Sequence, residues 1–157
     1  MAVEMAIFGS PADFIAREGQ LLGVTDWVEI PQTQIQAFAD ATGDHQWIHV
    51  DVERAQQGPF GSTLAHGYLV LSLVNRFLPE VVSVQNMEMG LNVGLDKVRF
   101  LSPVKAGSRL RGRVELKQVK PLDERSVQAT MTVTIELEGA ERPACVAEPI
   151  SRYFFSA

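Results

Sequence analysis

The chain of 157 residues has one cysteine, Cys145. A lone cysteine excludes an internal disulfide and fits a reducing compartment. Positive charge is also short: Lys and Arg number 14 against 19 Asp and Glu, a net charge of −5. Phosphate backbones are held by clustered Lys and Arg, so no nucleic-acid partner is expected. No apolar run approaches the ~18 residues of a membrane span. Near the start, Glu4 stands where a secretory leader wants positive charge. The expectation is therefore a cytoplasmic protein with no membrane partner. No repeat or low-complexity stretch divides the chain, and its length suits a single domain over 1–157. Residues 1–23 are expected to form an N-terminal extension with a short helix.

The first half carries helix signals. In "SPAD", Ser10 is placed to cap a helix, with Pro11 at its first position and Asp13 in its first turn. "VTDWVEI", 24–30, reads as a strand. Thr33 then caps a short helix through "QIQAFADATG", closed by Gly43. "IHV" reads as extended, and Asp51 caps a further short helix, "VERAQQ", that stops at Gly58-Pro59. "HGYLVLSLVNRFLP", 66–79, is apolar on nearly every side. It predicts a buried helix ended by Pro79.

The second half switches to period two. In "RLRGRVELKQV", Leu110, Gly112, Val114, Leu116 and Gln118 share one face and Arg109, Arg111, Arg113, Glu115 and Lys117 the other. In "VQATMTVTIEL", Val127, Ala129, Met131, Val133, Ile135 and Leu137 alternate with polar residues. These are half-buried strands joined through "KPLDE". "DKVRFLSPV" and "CVAEPISRYFF" add two more. The class is α+β: a curved antiparallel sheet wrapped around a long buried helix.

All three histidines, His45, His49 and His66, fall within a short stretch around "GDHQWIH". His45 and His49 have a spacing that shares a face only on a helix. Gly43 closes one helix and Asp51 opens the next, so 45–49 is expected to be non-helical and no metal site is expected. Asp44 in a glycine turn and His49 in a core are ordinary placements for such residues taken singly. His45 is expected to be exposed. Cys145, in a strand pattern, is most simply a small core residue.

"ATGDHQWIH" followed by "GPFGSTLAHGYLVLSLV" resembles the MaoC-like dehydratases of the hot-dog fold, including (R)-specific enoyl-CoA hydratases and proteins like nodulation protein N. Gly43, Asp44, Ile48 and His49 match the family pattern, and His66-Gly67 fall where it places a His-Gly pair before a hydrophobic helix. Gln46-Trp47 replace the usual Asn-Pro, as in the nodulation-protein-N-like branch.

The resemblance implies a hydro-lyase that interconverts trans-2-enoyl-CoA and (R)-3-hydroxyacyl-CoA. Asp44 would be the base and His49 the residue that orients the water. The N–H of Gly67, at a helix start, would serve as oxyanion-hole donor. His66 would support the local backbone or the turn into the helix. Asn75 stands where the hydratases carry a serine supporting the catalytic carboxylate, and its amide can also donate a hydrogen bond. No metal or redox cofactor is implied, since CoA is part of the substrate. Lys97, Arg99 and Arg76 are candidates for the CoA phosphates, with none singled out. Hot-dog domains pair, so a homodimer or higher homo-oligomer is expected. Two alternatives stand beside this: a non-catalytic acyl-thioester-binding module or subunit of a heteromeric dehydratase, and a hot-dog thioesterase.

Overall fold

The computed structural model describes residues 4–157. Eight strands and six helices follow in the order β1 (Ala6–Phe8), α1 (Pro11–Ala16), β2 (Leu21–Val24), β3 (Val28–Glu29), α2 (Gln32–Thr42), α3 (Trp47–Val50), α4 (Val52–Gln56), α5 (Gly67–Ser72), α6 (Val74–Val81), β4 (Val82–Val84), β5 (Met87–Phe100), β6 (Arg109–Asp123), β7 (Ser126–Leu137) and β8 (Cys145–Phe155). The main sheet is antiparallel, in the order β2-β6-β7-β8-β5, with β3 also on β6. This is the α+β layout that the switch from helical to period-two patterning predicts.

Alternation decides which face is buried. Leu110, Val114 and Leu116 of β6 and Val127, Ala129, Met131, Val133 and Ile135 of β7 join the core. Helices α5 and α6 cover that face with Leu69, Val70, Leu73, Val74, Phe77, Leu78 and Val81. At Gly112 the approach is so close that a Cβ would lie 2.7 Å from Phe77 Cβ. Only glycine lets the helix come that near the strand.

Several local expectations are corrected. The run 66–79 is two helices meeting at Leu73, and the Ser72 hydroxyl donates to the Leu69 carbonyl at 2.6 Å near the break. One side is open, with Tyr68 71% exposed. Pro79 lies inside α6 and does not end it. The carbonyl its missing N–H leaves free is that of Asn75, which is exposed and reachable by water. The strand expected over 24–30 is interrupted at Thr25–Trp27, where the Gly112 N–H donates to the Thr25 hydroxyl at 3.0 Å. Gln118 is exposed because a bulge between Leu116 and Gln118 shifts the alternation, and Val119 takes the inward place. The "KPLDE" connection is mostly strand, with β6 running to Asp123 before a tight turn.

Capping is divided in the same way. Gly43 ends α2 in the left-handed region at φ 82°, and the Asp51 carboxylate accepts from Arg54 N–H at 3.1 Å. Ser10 makes no side-chain cap bond; instead Asp13 reaches back to the Gly9 N–H at 2.7 Å. Thr33 lies inside α2, whose first turn closes on the Pro31 carbonyl. The segment 1–23 is more than an appendage where it is described. β1 pairs in parallel with β4, and Phe8, Phe14 and Leu22 belong to the core.

Candidate functional site

Four neighbouring segments build the site. Gly43 turns the chain out of α2, and Asp44 follows in an exposed turn. Its carboxylate lies 3.4 Å from the N–H of Gln46. The expected extended "IHV" is instead one helical turn, α3, closed by His49 N–H on the Gln46 carbonyl at 3.0 Å. Packing holds the turn: Trp47 lies against Gly58 and under the Arg54 guanidinium at 4.1 Å. His45 precedes the turn, so it still shares no helix face with His49.

His49 is buried and fixed at both ends. Its carbonyl accepts from the Gln32 amide at 2.8 Å, and its ring Nδ1 lies 2.7 Å from the Leu64 carbonyl. A carbonyl only accepts, so the Nδ1 proton is donated and the Nε2 lone pair is left free. Gln32 is itself held by the Thr63 hydroxyl. No sequence signal points to Gln32: it opens a helix 17 residues earlier, and only the fold brings it to His49.

His66 is 2% exposed. Its Nε2 lies 3.0 Å from the Asp44 carbonyl, so it too donates a proton to a main-chain oxygen. Its ring stacks on that of His49 with centroids 3.8 Å apart and 21° between planes. The other ring nitrogen, Nδ1, is buried with no partner among the described residues.

One carboxylate oxygen of Asp44 and one ring nitrogen each of His49 and His66 lie within 4.8 Å of one another. One carboxylate and two rings at such a spacing suit either an ion or a shared water. Near-parallel rings decide against a common ion here. Their lone pairs lie in the ring planes, which run side by side, while a metal needs nitrogens converging at ~2.0–2.1 Å. A water needs only ~2.8 Å to each of two acceptors, which the Asp44–His49 separation allows.

His49 and Gly67 line one cleft of about 320 Å³, with Val70, Phe100 and Val104 among its apolar walls. Gly67 opens α5, so its N–H has no carbonyl within the helix to donate to. A Cβ on Gly67 would lie 3.4 Å from the Phe100 ring. Asn75 sits eight residues further, about 12 Å along a helix axis. It lines a different cleft of about 400 Å³, with Tyr68, Leu71, Asn92 and Leu95. No hydrogen bond joins Asn75 to Asp44 among the described residues.

Elsewhere, His45 is exposed and its Nε2 lies 2.9 Å from Asp40. That bond raises the His45 pKa and lowers that of Asp40. Burial pushes the Cys145 thiol up to about 11, which leaves it protonated and poorly nucleophilic. Of the three candidate phosphate contacts, Lys97 lies 3.9 Å from Glu148, the Arg99 guanidinium donates to its neighbour's carbonyl, and Arg76 is exposed. No helix is long and apolar enough to cross a membrane among the described residues.

Residues 13–137 match the family model described as a MaoC like domain. The chain belongs to the MaoC-like family. It is 50% identical over 149 residues to 3-hydroxyacyl-thioester dehydratase Z of Mycobacterium tuberculosis, covering 95% of this chain and 99% of that protein. Nodulation protein N of Rhizobium leguminosarum is 47% identical over 144 residues, 90% of this chain and 89% of its own. Among solved structures, the (R)-hydratase from A. caviae involved in PHA biosynthesis superposes with a TM-score of 0.64 at 25% identity, covering 85% of this chain and 94% of that one. The fold is thus the hot-dog of these MaoC-like dehydratases.

Proposed function

We propose that this MaoC-like protein is a hydro-lyase that reversibly hydrates trans-2-enoyl-CoA to (R)-3-hydroxyacyl-CoA. The observation that carries the reading is a ring nitrogen of His49 within 4.8 Å of an Asp44 carboxylate oxygen, with His49 and Gly67 lining one cleft. Likeness to a 3-hydroxyacyl-thioester dehydratase and to an (R)-hydratase supports the same chemistry.

The mechanism follows from donors and acceptors. A water between Asp44 and His49 donates one hydrogen to each, which points an oxygen lone pair outward. That lone pair attacks C3 of the enoyl thioester as Asp44 takes the proton. Negative charge moves to the thioester oxygen, where the Gly67 N–H stabilises it. C2 then receives a proton from the pair, which titrates as a unit. Addition of water to a double bond is redox-neutral, so no electron carrier is required. The acyl tail lies against Val70, Phe100 and Val104.

The assembly proposed is a homodimer joined along β5. This end strand has an open edge and exposes Met87, Met89, Leu91, Val93 and Leu95. An edge so long and apolar invites a second chain.

The test is an assay of the purified protein with crotonyl-CoA and a series of longer trans-2-enoyl-CoA thioesters, followed at the conjugated double bond. Loss of that absorbance with formation of the (R)-3-hydroxy product is expected. Release of free thiol would instead reveal a thioesterase. Tight binding without turnover would leave a binding module.

A further inference from the structure

His66 has no step in the mechanism above, yet it is among the most enclosed polar residues of the molecule. It touches both members of the candidate pair. Its Nε2–H donates to the main-chain oxygen of Asp44 at 3.0 Å, and its ring lies under the ring of His49 at 3.8 Å. Phe38 of α2 packs on it at 4.8 Å. A residue kept only to start a helix would bond the helix N–H groups, but His66, at the cap of α5, makes no such bond.

Its protonation follows from its partners. The Asp44 carbonyl fixes the proton on Nε2. A second proton on Nδ1 would be buried with no acceptor among the described residues. Two stacked imidazoliums would also repel at that distance. These contacts therefore hold His66 as the Nε2–H tautomer.

We propose that His66 is a positioning residue for the water-activating pair: one N–H holds the turn that carries the Asp44 carboxylate, and its ring is the platform that sets the plane of His49. The inference rests on the hydration reading above and deepens it. His66 is not among the residues that line the cleft of His49 and Gly67.

Two substitutions separate the contacts. His66→Phe keeps a flat ring and removes the N–H. His66→Gln keeps an N–H at the reach of Nε2 and removes the ring. Each should lower kcat by about 10- to 100-fold, the effect of sub-ångström misplacement of a reacting group. KM should stay within about threefold, since uniform binding is untouched. The decisive arm is the double variant His66→Phe/Asp44→Asn, which should be no slower than Asp44→Asn alone. A general loss of structure would multiply the two effects instead. Independently of any variant, ¹⁵N NMR of the histidine-labelled wild type at neutral pH should find His66 as the Nε2–H tautomer.

Wild-type kcat in His66→Phe, multiplying effects in the double variant, or an Nδ1–H His66 would each overturn the positioning role while leaving the pair intact. Full turnover in Asp44→Asn and His49→Ala would instead overturn the pair, and this role with it.

Discussion

The Nδ1 of His49 lies 2.7 Å from the carbonyl oxygen of Leu64, and that one contact decides which end of the ring can do chemistry. With Nδ1–H anchored to the main chain, Nε2 is left as the acceptor of a residue that lines the cleft. A neutral acceptor beside a carboxylate is what a single water needs to be held by both its hydrogens.

The first prediction follows for the pair. Asp44→Asn keeps the size and loses the base; His49→Ala loses the acceptor. Each should reduce kcat by roughly 10²–10⁴-fold. Groups that act on one step are not additive. The double variant should therefore be little slower than the slower single one. Steady-state kcat for the three proteins checks this, and effects that simply multiply would contradict a shared water.

Gly67 offers a cleaner deletion than most oxyanion donors. It is the first residue of α5, where proline is tolerated, and His66 before it has the extended ψ of 140° that a following proline prefers. Gly67→Pro removes only the N–H and adds a ring near Phe100. Turnover should fall by about 100-fold or more in a protein whose circular dichroism is unchanged. Near-normal turnover would remove Gly67 from the mechanism.

Much of this site was legible because its signals are local. Gly43 can be read as a helix end, while Asp44, His49 and Gly67 stand out through the resemblance of their two motifs to the MaoC-like pattern. The period-two strands were equally plain, since alternation needs no partner to be seen. What escaped depends on contacts distant in sequence. The α3 turn is held by Trp47 packing on Gly58, the bulge after Leu116 shifts Gln118 outward, Gln32 reaches the site across 17 residues, and the bond of His66 to Asp44 spans 22. None of these leaves a periodic mark on the chain.

His45 should behave unlike its two neighbours. Its bond to Asp40 raises its pKa and lowers that of the carboxylate. A raised histidine stabilises the fold below its unfolded value of ~6.5, and the contribution disappears as pH rises through the folded value. A lowered aspartate contributes above ~3.9, and its part is lost as pH falls through the folded value. The pair thus acts only in mildly acidic solution between those limits. NMR titration should place His45 above ~6.5 in the wild type and return it toward that value in Asp40→Asn. His45→Ala should leave kcat nearly unchanged, in contrast to the large loss expected of His49→Ala.

Gly112 yields a stability prediction free of catalysis. A methyl group there would meet Phe77 Cβ at 2.7 Å, and that atom is tied to the α6 backbone. Neither side can yield without moving helix or strand. Gly112→Ala should lower stability by about 1–3 kcal/mol, as overpacked cores do. The urea midpoint should fall with an unchanged slope.

The last prediction concerns β5. It is the terminal strand of the sheet, and its exposed residues include Leu91, Val93 and Leu95. A monomer would keep that edge in water beside its unpaired main-chain groups. Leu95 and Asn92 also line the cleft that holds Asn75 and Tyr68, so whatever covers the edge adjoins α5. The wild type should sediment as a dimer at micromolar concentration. Leu91→Lys with Val93→Lys should shift it to monomer, because two like charges would face their copies across an antiparallel pair. If dimerisation completes the site, specific activity of the charged variant should rise with protein concentration, since mass action restores the pair. A variant that is monomeric yet fully active at nanomolar concentration would show that one chain suffices. A wild type that is monomeric at micromolar concentration would remove the edge pairing altogether.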